Sequence, residues 1–183
     1  YGLVGSEMCI RDSWYVHPVF KMDFNGVVYK EKGKLTETIL FYIGEWEKIY
    51  GKTPVNAPIG KRFESLLKQA FEQTGRRAVV LIDEYDKPIL DVLDTPLEDV
   101  NRDTLKAFYS TFKSADDFLQ FVLLTGVTKF SQVSVFSGFN QPDDISMNPR
   151  FDTLCGITQE ELEFNFANPI TESVSYTHLR AHE

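Results

Sequence analysis

Ala78-Val-Val-Leu-Ile-Asp83-Glu84-Tyr85-Asp86-Lys87-Pro88 joins a wholly apolar run to a cluster of charges. The run Ala78–Ile82 is too short for a helix and has no polar alternate, which predicts a strand buried on both faces. Asp83 and Glu84 then stand at the carboxyl end of that strand, the edge where open α/β sheets bind their ligands. Adjacent carboxylates at such an end suit the hydrolysis of a nucleotide. The first holds Mg²⁺, usually through its water shell, and the second orients or deprotonates the attacking water. Two acids in a solvated turn fit the same string, so at this point both readings stand.

Working outward, strand and helix patterns alternate. His17–Phe24 reads as a strand. Leu35, Ile39, Ile43, Trp46 and Tyr50 fall on one helical face, which Gly51 ends. Pro58 opens a second helix with Phe63, Leu66, Leu67, Ala70 and Phe71 on its apolar face, and Gly75 closes it. Thr95, Pro96, Glu98 and Asp99 mark a further helix start, with Leu105, Phe108 and Phe112 on the buried side. Leu119–Thr125 reads as another buried strand and Asp152–Cys155 as a last short one. Thr158 and Glu161 form a capping box before a helix through Phe166. Strands separated by helices predict an α/β fold, with a parallel sheet covered by helices on both faces.

The chain has 183 residues, 43% of them hydrophobic and 25% charged, enough for one globular domain. A formal charge of -8 gives it no basic footprint for nucleic acid. No apolar run approaches the roughly 20 residues that span a bilayer. Cys9 and Cys155 offer neither a disulfide framework nor metal-ligand spacing, so a cytoplasmic setting is expected. Residues 1–13 (YGLVGSEMCIRDS) and 173–183 (SVSYTHLRAHE) lack periodicity and resemble translated sequencing-adapter read-through. They are expected to be non-native ends, which leaves residues 14–172 as the domain.

A second strand end adds weight to the hydrolase reading. Phe121-Val-Leu-Leu-Thr125-Gly126-Val127-Thr128-Lys129 places hydroxyls and a cation where the next strand meets its loop. VVLIDEYDKPI, NRDTLKAFYSTFKSADDFLQFVLLTGVTKFSQVSVFSGFN and DISMNPRFDTLCGITQEEL, in that order, resemble the AAA-ATPase-like family from about Tyr15 to about Phe166. These are bacterial P-loop ATPase domains, often fused to a domain of the PD-(D/E)XK nuclease superfamily. The resemblance implies Asp83 as the Walker B magnesium ligand, Glu84 as the catalytic carboxylate and Thr125 as the sensor, with Thr128 as its rival. It implies that Thr128 and Lys129 face the nucleotide, and that ATP and Mg²⁺ are the cofactors. Asp86, Lys87 and Arg150 also match, without a role for the first two; Arg150 is expected to pair with a neighbouring carboxylate.

The sequence departs from the family in one respect. A phosphate-cradling G-x-x-x-x-G-K-[ST] loop occurs nowhere in it. The family carries that loop upstream of Tyr15, on a strand central to the sheet, and carries its helical lid and nuclease domain beyond Thr171. The resemblance therefore implies a fragment of an ATPase domain, inactive alone, whose parent reaches nucleic acid through a further domain. Two other classes compete: a nuclease-associated module and a non-catalytic α/β interaction domain. A PD-(D/E)XK site needs an acid two residues before its Lys, where Tyr85 precedes Lys87. The missing loop is the point in favour of the interaction domain.

Overall fold

Ala78–Asp83 forms β2, the middle strand of a parallel sheet of order β1-β2-β3, between β1 (Val19–Asp23) and β3 (Leu119–Leu124). The computed structural model describes residues 16–127, 143–151, 153, 154, 158, 160, 161, 164 and 165. Val19 pairs with Val79 and Asp23 with Asp83. On the other side Val79 pairs with Phe121 and Ile82 with Leu124, after an irregularity at Ala78. Since all three strands run the same way, their carboxyl ends share one edge.

Parallel neighbours require crossovers, and helices supply them. α1 (Lys34–Tyr50) and α2 (Ile59–Thr74) link β1 to β2; α3 (Lys87–Leu90), α4 (Leu97–Tyr109) and α5 (Thr111–Ser114) link β2 to β3. Of the expected stripes, Leu35, Ile39, Ile43 and Trp46 on α1 and Phe63, Leu66, Leu67 and Ala70 on α2 are buried, whereas Tyr50 and Phe71 are only half-buried. Gly75 ends α2 at φ 64, a left-handed turn that an L side chain rarely adopts. Phe112 does not continue α4. That helix ends at Tyr109, and Phe112 lies on the separate α5.

Phe20 anchors the core, edge-on to Trp46 at 5.1 Å and to Phe63 at 5.6 Å. Burying such a ring contributes about 1.5–3 kcal/mol, and an edge-to-face pair about 0.5–1.5 kcal/mol more. Register puts Phe20, Met22, Val80, Ile82, Val122 and Leu124 on one face, packed with the helices into a single core. The opposite face differs from the sequence expectation. Val19 and Phe121 on it are 50% and 52% exposed, and Val79 and Leu81 only half-buried. β3 is accordingly not a buried strand, and it is an edge of the sheet among the described residues.

The described residues between 143 and 165 belong to a second unit. Pro149–Phe151 is a single 3₁₀ turn, and Asn148 Oδ1 accepts the Arg150 N–H at 3.0 Å. Thr153 and Leu154 follow in a turn, with the Leu154 N–H on the Phe151 carbonyl at 3.0 Å. The expected strand at 152–155 is thus absent at those two positions, where the chain turns and the Leu154 amide bonds locally; Asp152 and Cys155 lie outside the described residues. The capping box is present. Thr158 N–H donates to Glu161 Oε2 at 2.9 Å, and Glu161 N–H to Thr158 Oγ1 at 3.1 Å. Among the described residues no helix is long and apolar enough to cross a membrane.

Candidate functional site

β2 delivers Asp83 to the carboxyl edge of the sheet, and β3 delivers Thr125 beside it. The ladder between them runs on past the strands: Thr125 N–H donates to the Ile82 carbonyl and Tyr85 N–H to the Thr125 carbonyl, both at 2.9 Å. This brings the Thr125 hydroxyl onto Asp83 Oδ1, to which it donates. The same oxygen accepts the Glu84 N–H at 3.1 Å. Among the described residues Asp83 Oδ2 accepts nothing, and Asp83 is exposed. One carboxylate oxygen is fixed by the protein, and the other has no partner among the described residues.

Glu84 holds φ 54, a left-handed conformation that costs a non-glycine residue about 1–2 kcal/mol. The fold holds it there from both sides, through its own N–H on Asp83 and through Lys87 N–H on its carbonyl at 3.1 Å. Strain of this kind collects where a side chain must be aimed. The Glu84 carboxylate has no hydrogen bond or ion pair among the described residues.

The turn that follows is braced from α4. Tyr109 Oη donates to the Tyr85 carbonyl at 3.4 Å, and Asn101 Nδ2 to the Pro88 carbonyl at 2.8 Å. Burial pushes the Tyr109 phenol well above its ordinary range, with Tyr85 and Asp86 adding to the shift, so it stays a neutral donor. Asp86 is only 1% exposed, and its Oδ2 accepts the Val127 N–H at 3.1 Å. Lys87 pairs with Asp91 at 3.1 Å, and Asp91 Oδ2 accepts the Tyr29 N–H at 3.2 Å, so this cation serves the fold.

Asp23 was not among the sequence candidates. It is the register partner of Asp83, and Phe24 N–H donates to the Asp83 carbonyl at 3.2 Å. Its Oδ1 accepts the Asn25 N–H at 2.7 Å, which commits it to the Asn25-Gly26 turn. An acid closing the first strand before Asn-Gly was the available signal. Thr128 and Lys129 lie outside the described residues. Arg150 makes no ion pair among the described residues, and its neighbour Asp152 lies outside them. No three His, Cys, Asp or Glu side chains among them are grouped to cage a metal. The donor set instead fits Mg²⁺, which keeps several waters and takes one or two carboxylates beside substrate phosphates.

A family model described as "Predicted AAA-ATPase" (AAA-ATPase_like) matches residues 6–136, starting within the N-terminal end set apart above. A curated relative, "Uncharacterized protein in vnfD 5'region" of Azotobacter chroococcum mcd 1, is 41% identical over 162 residues. That alignment covers 86% of this chain but 31% of the relative, so the chain spans about a third of the relative's length. No solved structure matches.

Proposed function

The chain belongs to the predicted AAA-ATPase family, and from that premise we propose that it carries the water-activating half of an ATP-hydrolysing site. The observation that carries this reading is the Thr125 hydroxyl on Asp83 Oδ1, at the ligand-binding edge of a parallel sheet. Asp83 takes the Walker B role and presents Oδ2 to the water shell of Mg²⁺. Glu84 orients and deprotonates the attacking water. Thr125 is the sensor, linking the state of the nucleotide to the carboxylate that faces the metal. Thr128 and Lys129 are assigned to nucleotide binding by the family resemblance alone. Bound Mg²⁺–ATP supplies the electrophilic phosphorus and the neutralisation of charge on the leaving oxygens.

The phosphate-gripping loop, absent from this sequence, comes from elsewhere in a longer protein, consistent with a relative about three times the aligned length. In that protein the ATPase works in the cytoplasm, with nucleic acid reached through a further nuclease-like domain. The test is turnover. The 183-residue chain alone should hydrolyse no ATP above buffer. The full-length protein should do so with Mg²⁺, and Glu84→Gln should abolish turnover while nucleotide binding persists. Turnover by the chain alone that disappears in Glu84→Gln overturns the missing-loop reading. A full-length Glu84→Gln at the wild-type rate overturns the site.

A further inference from the structure

We propose that Asp86 is a positioning residue: its buried carboxylate latches the loop after β3 and so holds the Thr125 hydroxyl on Asp83. This rests on the ATPase reading of Asp83 and Thr125 and adds a residue to which no role has been attached. A carboxylate removed from water is costly unless hydrogen bonds replace its hydration. Asp86, at 1% exposure, spends part of its bonding capacity on a backbone amide remote in sequence, the Val127 N–H at 3.1 Å.

Gly126 shows how close the loop lies. A Cβ there would stand 2.5 Å from Asp86 Oδ1, and 2.6 and 2.7 Å from the Tyr85 ring. Only glycine lets the backbone approach this near. Thr125 is held by ladder bonds at its own N–H and carbonyl, and the Asp86–Val127 bond fixes the chain two residues on. Asp86 can act as a fixed post because α4 braces its turn through Tyr109 and Asn101. Releasing Val127 would free the Gly126–Val127 peptide to swing, leaving Thr125 held only by its ladder bonds to Ile82 and Tyr85. The hydroxyl would then leave Asp83 Oδ1, and the carboxylate would no longer offer one defined oxygen. Displacement of a positioning group by about 1 Å costs roughly 100-fold in rate.

The test uses the full-length protein and reads ATP turnover together with amide exchange at Val127. Asp86→Ala should lower kcat by up to about tenfold, no more than Thr125→Val does, leave KM for ATP within about twofold and speed Val127 exchange. Asp86→Asn keeps an oxygen that can accept the same N–H, and should restore both kcat and protection. Should Asp86→Ala fail to fold, Gly126→Ala replaces it, since the added methyl drives the loop off an intact Asp86 and should likewise lower kcat at unchanged KM. Wild-type kcat in a folded Asp86→Ala protein, beside an impaired Thr125→Val, overturns the latch alone. An Asp86→Asn as slow as Asp86→Ala with Val127 still protected also overturns it. Wild-type kcat in Thr125→Val overturns instead the site assignment on which the latch rests.

Discussion

The Thr125 hydroxyl donates to Asp83 Oδ1, the same oxygen that takes the Glu84 N–H, so two donors from two strands' ends fix one carboxylate. A bond to a charged acceptor contributes about 1.5–3 kcal/mol, toward the low end here because Asp83 is exposed and water replaces a lost donor. Thr125→Val removes the donor at nearly constant volume. In the full-length protein it should cut kcat roughly tenfold and lower stability by no more than about 1.5 kcal/mol. Thr125→Ser, which keeps the hydroxyl, should stay close to wild type. Equal loss in Ser and Val would mean that the methyl group matters and the hydrogen bond does not.

Glu84 sets local stability against aim. Its φ of 54 costs about 1–2 kcal/mol, whereas glycine there pays about 0.5–1 kcal/mol of extra chain entropy. Glu84→Gly should thus be more stable than Glu84→Gln by up to about 1 kcal/mol, although both lack the carboxylate and both lose turnover. Urea denaturation of the two variants decides it. A Gly variant less stable than the Gln variant would show that the left-handed turn carries no strain.

Much of this arrangement is legible in the sequence, and what is not has physical reasons. The apolar run before Asp83, the helical stripes of Leu35–Trp46 and Phe63–Ala70, the stops at Gly51 and Gly75 and the Thr158–Glu161 box are local patterns, and each appears. Phe121 misled, because a continuous apolar strand reads as buried on both faces whether or not anything covers the second. The burial of Asp86 depends on an amide 41 residues away, which no local pattern specifies. Asp23 becomes part of the edge only through its pairing with Asp83. Glu47, between Trp46 and Lys48, reads as a surface acid until Thr53 and Arg62 fold over it.

Glu47 makes stability depend on pH. Burial alone would raise its carboxyl, but hydrogen bonds from Thr53 and Arg62 outweigh that and bring it from 4.5 to about 2. Arg62 Nη2 lies 2.7 Å from Glu47 Oε1, the Thr53 N–H 3.2 Å from the same oxygen, and the Thr53 hydroxyl donates to it too. A folded-state value below the unfolded one means that the network's stabilisation is complete above pH 4.5 and is lost as pH falls toward 2. Wild-type Tm should therefore drop across that window, and Glu47→Gln should show a flatter profile there from a lower neutral-pH Tm. Arg62→Met should cost on the order of 3 kcal/mol at neutral pH, since it leaves a buried charge without its cation. Parallel slopes for wild type and Glu47→Gln between pH 4.5 and 2 would remove Glu47 as the cause.

Gly60 tests the packing of the helical layer, where two effects oppose each other. It is the second residue of α2, and in an isolated helix alanine is better than glycine by about 0.8–1 kcal/mol. In the fold, a Cβ at Gly60 would lie 2.5 Å from Thr111 Oγ1 and 3.3 Å from the Ala107 carbonyl, so α2 would be forced off α4 and α5. Overpacking of this kind costs about 1–3 kcal/mol, which exceeds the propensity gain, and Gly60→Ala should be net destabilising. Thr111→Ala takes away the nearer obstacle and leaves the carbonyl contact, which a shift of a few tenths of an ångström relieves. In that background Gly60→Ala should be neutral or stabilising, a coupling of about 1 kcal/mol or more between the two sites. Denaturant titration of the four proteins of the cycle measures it. Additivity within about 0.5 kcal/mol would mean that α2 and α5 do not meet at Gly60 and Thr111 as described.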